Sequence, residues 1–414
     1  MRRNWSETVE FPQDLLLPTS VAEAQDLVRA HDRALAVGSA HSFSPAAVGP
    51  GPHIGTERLP SAFDVAPDRT SVVVSAGTRY ADLGPALHAE GLALAAMASL
   101  PHISVGGAIA TGTHGSGDRI GTLSSAVRAL EVVTADGEVR WVRRGIDADF
   151  AGWVVALGAL GVVTRVELAV EPAYDVAQTV LLGLDLDVVE AEFDAVFSAA
   201  TSVSVFTRWR PAPDAQLWLK RRVDREGPWQ GAPDFGARAS AGKMHPLEEL
   251  DPVHCTEQNG LAGPWYERLP HFRAEFTPSS GDEIQAEYLL PRSHAVEGIR
   301  RMRSLASRIT PLLHVTEIRT MCADDLWLSP AQGRDTVGIH FTWHKDARIF
   351  TVLPEIEEAL LPLGARPHWG KVTVAAPESI VAAYPLFSDY ARLVETADPH
   401  GKFRSDTVTS LMSA

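Results

Sequence analysis

Cysteine is nearly absent from this chain, which has Cys255 and Cys322 among its 414 residues. Two thiols cannot build the disulfide framework of a small secreted domain, and they cannot supply a four-cysteine zinc site. The first residues include two arginines but no apolar segment behind them, so a secretory signal is not expected. We therefore expect a reducing, cytoplasmic location.

A surplus of positive charge is also missing, because 37 Lys and Arg residues face 52 Asp and Glu residues and the net charge is −15. Such a chain has little to attract the phosphates of nucleic acid or an anionic membrane, so we expect neither partner. No apolar run approaches the roughly 18 residues that suggest a membrane span. The length and the 45% hydrophobic content predict a globular protein of two domains that binds a neutral or cationic small molecule.

Two common nucleotide-binding signatures are absent as well, although the run from Ala98 to Gly117 is rich in glycine and hydroxyl residues and has no acidic residue. No lysine follows Gly117, so the P-loop pattern fails, and the Gly-x-Gly-x-x-Gly order that opens a helix is missing too. Glycine lets backbone N–H groups approach an anion and permits positive φ. The run therefore predicts a loop that binds a pyrophosphate in another nucleotide fold.

A second loop, Val37 to Phe43, follows a short apolar run and contains Gly38, Ser39 and His41. A strand followed by such a loop, with the glycine run about 60 residues later, predicts two loops that bind one dinucleotide from both sides. Taken alone, His41 is typical of an exposed loop histidine that makes a hydrogen bond.

Periodicity predicts a mixture of helices and strands. Ser20 and Glu23 form a capping box at the start of a first helix, and Asp136-Gly137 is the strongest hairpin signal. Further helices are expected over 80–90, 299–309, 378–384 and 388–396, strands over 72–75, 164–170, 202–209, 217–222, 272–276, 284–289 and 314–320, and loops over 225–263.

Two predicted strands carry pairs of polar residues at a spacing of two. Glu317 and Arg319 leave one face of their strand, and His340 and Thr342 repeat the pattern. Each pair alone is typical of a solvated sheet face or a surface ion pair. The repetition, followed by Lys371, favours a site whose donors and acceptors bind a chain of hydroxyl groups.

The two loops resemble the FAD-binding domain of the vanillyl-alcohol oxidase family, in which the histidine of the first loop is covalently bonded to the flavin. Four further runs resemble the alditol (xylitol) oxidases within that family, and the match extends over nearly the whole chain in order. These runs are His271 to Ser280, Glu317 to Arg319, His340 to Trp343 and Arg366 to Lys371.

The resemblance implies an α+β fold, with an FAD-binding domain over 1–173 and a substrate (cap) domain over 174–371. The cap domain is expected to contain a large mixed or antiparallel sheet flanked by helices, and the segment 372–414 is expected to return to the first domain. FAD is the expected cofactor, bonded through His41. The residues expected to hold it are Val37, Gly38, Ser39, Ala40, His41, Ser42, Ser99, Ser104, Gly106, Gly107, Ala110, Thr111, Gly112, Thr113, His114, Gly115 and Val162.

The activity implied by the resemblance is the oxidation of the terminal primary alcohol of alditols such as xylitol and sorbitol to aldoses, with oxygen reduced to hydrogen peroxide, by a monomer. Arg319 and Lys371 would stabilise the developing alkoxide. Lys371 with a lowered pKa can act as base, whereas Arg319 is permanently charged. Glu317 would orient Arg319. The expected substrate-binding residues are Ser99, Glu317, Arg319, His340, Thr342 and Lys371.

Two other activities stay open: a sugar-1,4-lactone oxidase or dehydrogenase of the same superfamily, and a carbohydrate-binding flavoprotein without catalysis. No carboxylate or cysteine partner is visible for His102 and His114, so no metal is expected and they would brace the loop or contact the cofactor. The sequence departs from the alditol oxidase pattern at Ala95-Ala96-Met97, where Pro-Asn-Met is typical, and at Arg404-Ser405, where the family has an asparagine.

Overall fold

A computed structural model describes residues 2–11, 13–231, 233–275 and 282–414. Within these ranges the strands are β1 (Arg2–Arg3), β2 (Glu10–Phe11), β3 (Leu15–Leu16), β4 (Leu35–Val37), β5 (His53–Gly55), β6 (Phe63–Val65), β7 (Ser71–Ser75), β8 (Leu92–Ala93), β9 (Val127–Val133), β10 (Val139–Arg143), β11 (Val162–Ala169), β12 (Glu171–Pro172), β13 (Asp175–Leu184), β14 (Ser202–Thr207), β15 (Ala215–Arg222), β16 (Arg238–Ala239), β17 (Ala262–Pro264), β18 (Glu283–Pro291), β19 (Leu313–Met321), β20 (Thr336–His344) and β21 (Arg366–Pro367).

The helices in the same ranges are α1 (Val21–Ala30), α2 (Tyr80–Ala89), α3 (Val105–Ala110), α4 (Phe150–Val154), α5 (Leu186–Ala191), α6 (Phe193–Phe197), α7 (Trp265–Arg268), α8 (Ala295–Ser304), α9 (Ala306–Ile309), α10 (Ile349–Leu360), α11 (Pro377–Ala382), α12 (Phe387–Ala397) and α13 (Asp406–Met412). None of the helices in this described part of the chain combines the length and the apolar character that crossing a bilayer requires.

The first part of the chain builds the two-stranded sheets β1-β2 and β12-β8 and two sheets with more strands. The larger has the antiparallel order β10-β9-β11-β7-β6, and its hairpin turns at Gly137, whose φ of +78° favours glycine as the sequence predicted. The smaller has the parallel order β3-β5-β4. Because β4 ends at Val37, this small sheet places the His41 loop.

The second part forms one large antiparallel sheet in the order β16-β13-β15-β14-β19-β20-β18-β21, with β17 also paired to β13. Helices α5, α6, α8 and α10 cover one face, where Val189, Ile299 and Ile356 pack against strand residues such as Ile318 and Ile339. Side chains of a strand alternate between faces, so the neighbours of Ile318 point the other way. The expected α+β fold with a large antiparallel sheet is confirmed.

The C-terminal helices pack on the first part of the chain. Tyr390, Val394 and Val408 share a core cluster with Val72 and Trp153. The Tyr390 hydroxyl also donates to the carbonyl of Ala156 at 3.1 Å. These contacts agree with the expected return of the last segment, while the domain boundaries at 173 and 371 stay predictions.

Several predicted features differ in the structure. The hydroxyl of Ser20 accepts the N–H of Glu23 at 3.1 Å, but the Glu23 carboxylate accepts from the N–H of Thr19 at 2.7 Å, so the return half of the capping box is shifted by one residue. The single helix predicted over 299–309 is wrong, because Leu305, with ψ of 4°, separates α8 from α9.

The predicted strand over 272–276 is also wrong in its described part, where Phe272 forms an isolated bridge with Cys255 and a turn follows. Its last residue and the end of the run to Ser280 lie outside the described residues. The glycine run is likewise not all loop, since it contains α3.

Candidate active site

A cavity of about 310 Å³ lies between the two loops of the first part and the polar face of the large sheet. Most of the predicted site residues line it: Val37, Gly38, Ser39, Ala40, His41, Ser42, Ser99, Gly106, Gly107, Ala110, Thr111, Thr113, His114, Glu317, Arg319, His340, Thr342 and Lys371. The structure therefore brings the predicted cofactor loops and the predicted substrate residues to one space.

The two loops are tied together by a reciprocal pair of hydrogen bonds. The N–H of Ser39 donates to the hydroxyl of Ser104 at 3.2 Å, and the N–H of Ser104 donates to the hydroxyl of Ser39 at 3.1 Å. A Cβ at Gly38 would lie 2.3 Å from Ser104 Oγ and 3.3 Å from the Cα of Gly107. The loops can approach this closely because glycine stands at both positions. The backbone cradle expected for a dinucleotide therefore fits the residues present.

Four predicted cofactor residues do not line the cavity and lie behind the residues that do. Ser104 braces the loops as described. Gly112 and Gly115 are packing positions, where a Cβ would lie 2.7 Å from Pro330 Cδ and 2.6 Å from the carbonyl oxygen of Met97, respectively. The side chain of Val162 packs in a small core cluster under the first sheet.

His41 follows a strained position, because Ala40 has a φ of +54°. Its ring stacks on Trp5 with centroids 5.7 Å apart, and its Nδ1 lies 3.1 Å from the carbonyl oxygen of Ser39. It is half-buried, not exposed as expected. Burial, reinforced by His102, lowers the pKa of His41 to about 4, so the imidazole is neutral at pH 7.

The polar pairs lie side by side on adjacent strands of the large sheet. Glu287 of β18 pairs with His340 of β20, which pairs with Glu317 of β19, so the three side chains share one face. The surface ion-pair interpretation is wrong, because Glu317 is 4% exposed and Arg319 is 6% exposed. We name Glu287, Glu317, Arg319 and His340 the polar row.

Arg319 is the cation at the centre of the polar row. Its Nη2 donates to Glu287 Oε1 at 2.7 Å, its Nη1 donates to the hydroxyl of Ser99 at 3.4 Å, and its Nε lies 3.6 Å from Glu317 Oε2. Burial opposes the charge, but the two carboxylates outweigh it and raise the pKa of Arg319. A buried cation needs such partners, because an unpaired one would be strongly destabilising.

Gly338 makes room for the contact between Arg319 and Glu287. It faces Arg319 across the β19–β20 pair, on the strand between the two partners. A Cβ at Gly338 would lie 3.1 Å from Glu287 Oε1 and 3.6 Å from His114 Cε1. Because Gly338 has no side chain, the Glu287 carboxylate and the Arg319 guanidinium can meet diagonally above β20.

Glu317 is held as an ionised acceptor. His271 Nε2 lies 2.8 Å from its Oε1, and His340 Nδ1 lies 3.9 Å from its Oε2. Burial disfavours the charge, but Arg319, His271 and His340 together hold the pKa of Glu317 well below its usual range. The carboxylate therefore stays ionised at neutral pH and can accept a hydroxyl proton in a hydrogen bond.

Lys371 supplies a second cavity cation. Its Nζ donates to Gln285 Oε1, and its backbone N–H donates to the carbonyl of His368 at 3.0 Å. Burial lowers the pKa of Lys371 to about 8, with Arg319 acting in the same direction and Glu287 opposing. An appreciable neutral fraction at mildly alkaline pH suits the predicted role of base.

Sequence reasoning missed several residues that line the cavity, namely His271, Gln285, Glu287 and His368. A signal was present on β18, where Glu283, Gln285 and Glu287 alternate with apolar residues at the period of a strand. His271 and His368 lie in the runs that resemble the alditol oxidases, but no local pattern sets them apart.

The two histidines of the glycine run, His102 and His114, have different partners. His102 Nε2 lies 2.8 Å from the carbonyl oxygen of Ala274, as expected of a bracing residue. The expectation that His114 lacks a carboxylate partner is wrong, because its Nε2 lies 3.3 Å from Glu287 Oε1. His114, Glu287 and His368 hold ligand-type atoms within 4.8 Å of one another. Since Glu287 Oε1 already accepts from Arg319, we interpret the cluster as part of the ion network.

The two departures from the family pattern lie away from the cavity wall. Ala96 and Met97 line a small pocket beside Ser99. Arg404 donates to the carbonyl of Asp398 at 3.2 Å, and the Ser405 hydroxyl caps α13 by accepting the N–H of Val408 at 3.2 Å. Arg404 and Ser405 thus stabilise the C-terminal segment.

Comparison with known proteins finds two matching family models and several similar proteins. Residues 12–143 match the model of an FAD binding domain family, and residues 282–411 match the model of the D-arabinono-1,4-lactone oxidase family. An alditol oxidase of a Streptomyces species is 44% identical, over 99% of this chain and 98% of its own length. An L-gulono-1,4-lactone dehydrogenase of Mycobacterium tuberculosis is 28% identical, over 97% of both chains.

Among solved structures, cholesterol oxidase from B. sterolicum superposes with a TM-score of 0.80 at 15% identity, over 99% of this chain and 96% of that one, which shows a shared fold. The high identity and the nearly complete coverage of the Streptomyces relative establish more than the fold. The chain belongs to the alditol oxidase family, FAD-dependent oxidoreductases within the vanillyl-alcohol oxidase family.

Proposed function

We propose that this protein oxidises the terminal primary alcohol of alditols, with xylitol and sorbitol as substrates, to the corresponding aldoses, and that oxygen is reduced to hydrogen peroxide. The observation that carries the proposal is the single cavity in which the His41 loop meets Arg319 and Lys371. The relative named alditol oxidase supports the choice of polyol. A cytoplasmic location and a monomeric state stay predictions.

FAD is expected in the cradle of the two loops, with Ser39, Gly38, Gly106 and Gly107 against its phosphates and His41 bonded to its flavin. The chemistry that FAD would supply when bound is that of a hydride acceptor for the carbinol carbon and an electron donor to oxygen. The neutral imidazole of His41 supports the covalent bond, because bond formation needs a free lone pair on nitrogen. Trp5, stacked on the ring, holds it in place.

The protein's own contribution is to bind the hydroxyl chain and to move one proton. We infer that neutral Lys371 takes the proton of the terminal hydroxyl while Arg319 stabilises the negative charge that develops on that oxygen. Ionised Glu317 holds Arg319 by charge and accepts a hydrogen bond from a neighbouring hydroxyl. His340, Thr342 and Ser99 line the same wall and bind the remaining hydroxyls.

A sugar-1,4-lactone oxidase or dehydrogenase is the second candidate, because residues 282–411 match a lactone oxidase family and a lactone dehydrogenase is 28% identical. That segment includes the polar row and Lys371. The higher identity of the alditol oxidase relative, 44% over nearly the full length, favours the polyol. Turnover separates the two candidates directly.

The first prediction concerns the substrate. The purified yellow protein should release hydrogen peroxide with xylitol or sorbitol at a kcat/KM at least about tenfold above that with L-gulono-1,4-lactone, because a wall of donors and acceptors selects for the matching hydroxyls. Peroxide release is measured for both substrates under the same conditions. Activity with the lactone alone would overturn the proposal, and no turnover of either would favour a binding protein.

The second prediction concerns the covalent bond. Acid-precipitated wild-type protein should stay yellow, whereas His41→Ala should release its flavin into the supernatant. The matched control is His102→Ala, which removes a nearby histidine bonded to a backbone carbonyl and should keep the colour in the pellet. Release of flavin from the wild-type protein would show that the attachment does not exist.

The third prediction concerns Lys371. Because the base acts when deprotonated, the rate of flavin reduction by xylitol should rise with pH through about 8 and level off above it. Lys371→Met should lower that rate by about 100-fold or more, remove its pH dependence and leave the bound-flavin spectrum unchanged. The control is Lys243→Met, outside the cavity wall. A variant rate close to wild type would remove Lys371 from the mechanism.

A further inference from the structure

A buried lysine stands behind the polar row without lining the cavity. Lys220 of β15 is 1% exposed. Its Nζ donates to the carbonyls of Leu269 and Pro270, the latter at 3.2 Å, and lies 3.1 Å from His271 Nδ1. An ammonium has three N–H bonds and no acceptor, so these three partners use all of its donors.

Lys220 and Glu317, the two neighbours of the His271 ring, determine which of its nitrogens carries the hydrogen. His271 Nε2 lies 2.8 Å from Glu317 Oε1, and an ionised carboxylate can only accept, so Nε2 carries the hydrogen. Burial, reinforced by Lys220, lowers the pKa of His271 to about 4, so the ring has a single N–H at neutral pH. Its Nδ1 is then an acceptor, which is what the Lys220 ammonium requires.

We propose that Lys220 is a positioning residue for substrate binding: through the Nε2–H tautomer of His271, it holds the Glu317 carboxylate ionised and aimed at Arg319 and at a substrate hydroxyl. The inference rests on the proposed alditol oxidase function and adds a residue outside the predicted site. Lys220, His271 and Glu317 thus form a chain of hydrogen bonds that ends at the cavity.

Without the Lys220 ammonium, the tautomer of His271 would no longer be fixed. Its Nδ1 could then carry the hydrogen and turn to a neighbouring carbonyl, which would leave the lone pair of Nε2 facing the carboxylate. Two acceptors repel at hydrogen-bond distance, so Glu317 would have to turn away or take up a proton. Substrate would bind more weakly. Arg319 would keep its 2.7 Å hydrogen bond to Glu287, so stabilisation of the alkoxide and proton removal by Lys371 would change little.

The surroundings of Lys220 indicate which group changes charge near neutral pH. The titratable and charged groups that face it are His271, Glu317, Cys255 and Arg319. Burial raises the pKa of the Cys255 thiol to about 12, and Glu317 and Arg319 stay charged. Burial lowers the pKa of Lys220 to about 7, with Glu317 opposing. Lys220 is therefore the member of this group that loses its proton on going from mildly acidic to alkaline pH.

The test measures the anaerobic reduction of the bound flavin by xylitol, which gives an apparent Kd and a limiting rate separately. Lys220→Met should raise the apparent Kd by about tenfold or more and change the limiting rate by less than about threefold. The matched control is Lys402→Met, which removes a lysine bonded to the carbonyl of Val28 at 2.6 Å and should change neither value.

A double-variant cycle separates this role from a general loss of packing. The side-chain amide introduced by His271→Gln would offer an N–H and a carbonyl that cannot exchange roles. Lys220→Met in that background should therefore raise the apparent Kd by less than about threefold, because no tautomer is left for the ammonium to select.

A further test uses the wild-type protein alone and so does not depend on whether a variant folds. Its apparent Kd should rise as the pH increases through about 7, because the ammonium is lost above that value. Equal effects on the Kd and the limiting rate, an additive cycle, or a Kd that does not rise with pH would each overturn the role of Lys220. Failure of xylitol to reduce the wild-type flavin would instead contradict the proposed function itself.

Discussion

The site depends on the pairing of one buried guanidinium with two carboxylates. Arg319 is a permanent cation inside the protein, and it is tolerated there because Glu287 lies 2.7 Å from it and Glu317 lies 3.6 Å from it. Removal of either carboxylate would leave charge unbalanced. The pairing in turn depends on the register of three adjacent strands and on Gly338 between the partners. The ionised state of Glu317 follows from this arrangement, whereas the lowered pKa of Lys371 comes first from burial, with Arg319 acting in the same direction.

The fold supplies the second half of the site from a distant part of the chain. The Ser39–Ser104 hydrogen bonds hold the two loops together at glycines, and the C-terminal helices pack under the same part of the molecule. Cholesterol oxidase shares the architecture at 15% identity, yet its name states another substrate. A shared fold does not by itself define the substrate, so the proposed function rests on the side chains of the polar row and on Lys371.

Local sequence patterns predicted the elements that carry the site, because alternation and glycine content are properties of short segments. The structure contains the predicted strand with Glu317 and Arg319, the predicted strand that precedes the His41 loop, and the predicted hairpin at Gly137. The pairings between elements were not predictable in the same way. Glu287 meets Arg319 through strand order and register, and Lys220 meets His271 because a non-strand segment after α7 packs against β15. Periodicity within one strand contains neither contact. The break at Leu305 was likewise invisible to a helical pattern that continues across it.

The central claim is that the polar row and Lys371 present a sugar alcohol to a flavin bound beside His41. A crystal structure of the FAD-loaded protein with xylitol tests it most directly. Our account predicts that Arg319 and Lys371 both contact the same terminal hydroxyl, with Glu317 on a neighbouring one and the flavin joined to His41. Xylitol bound elsewhere, or contacting neither cation, would contradict it.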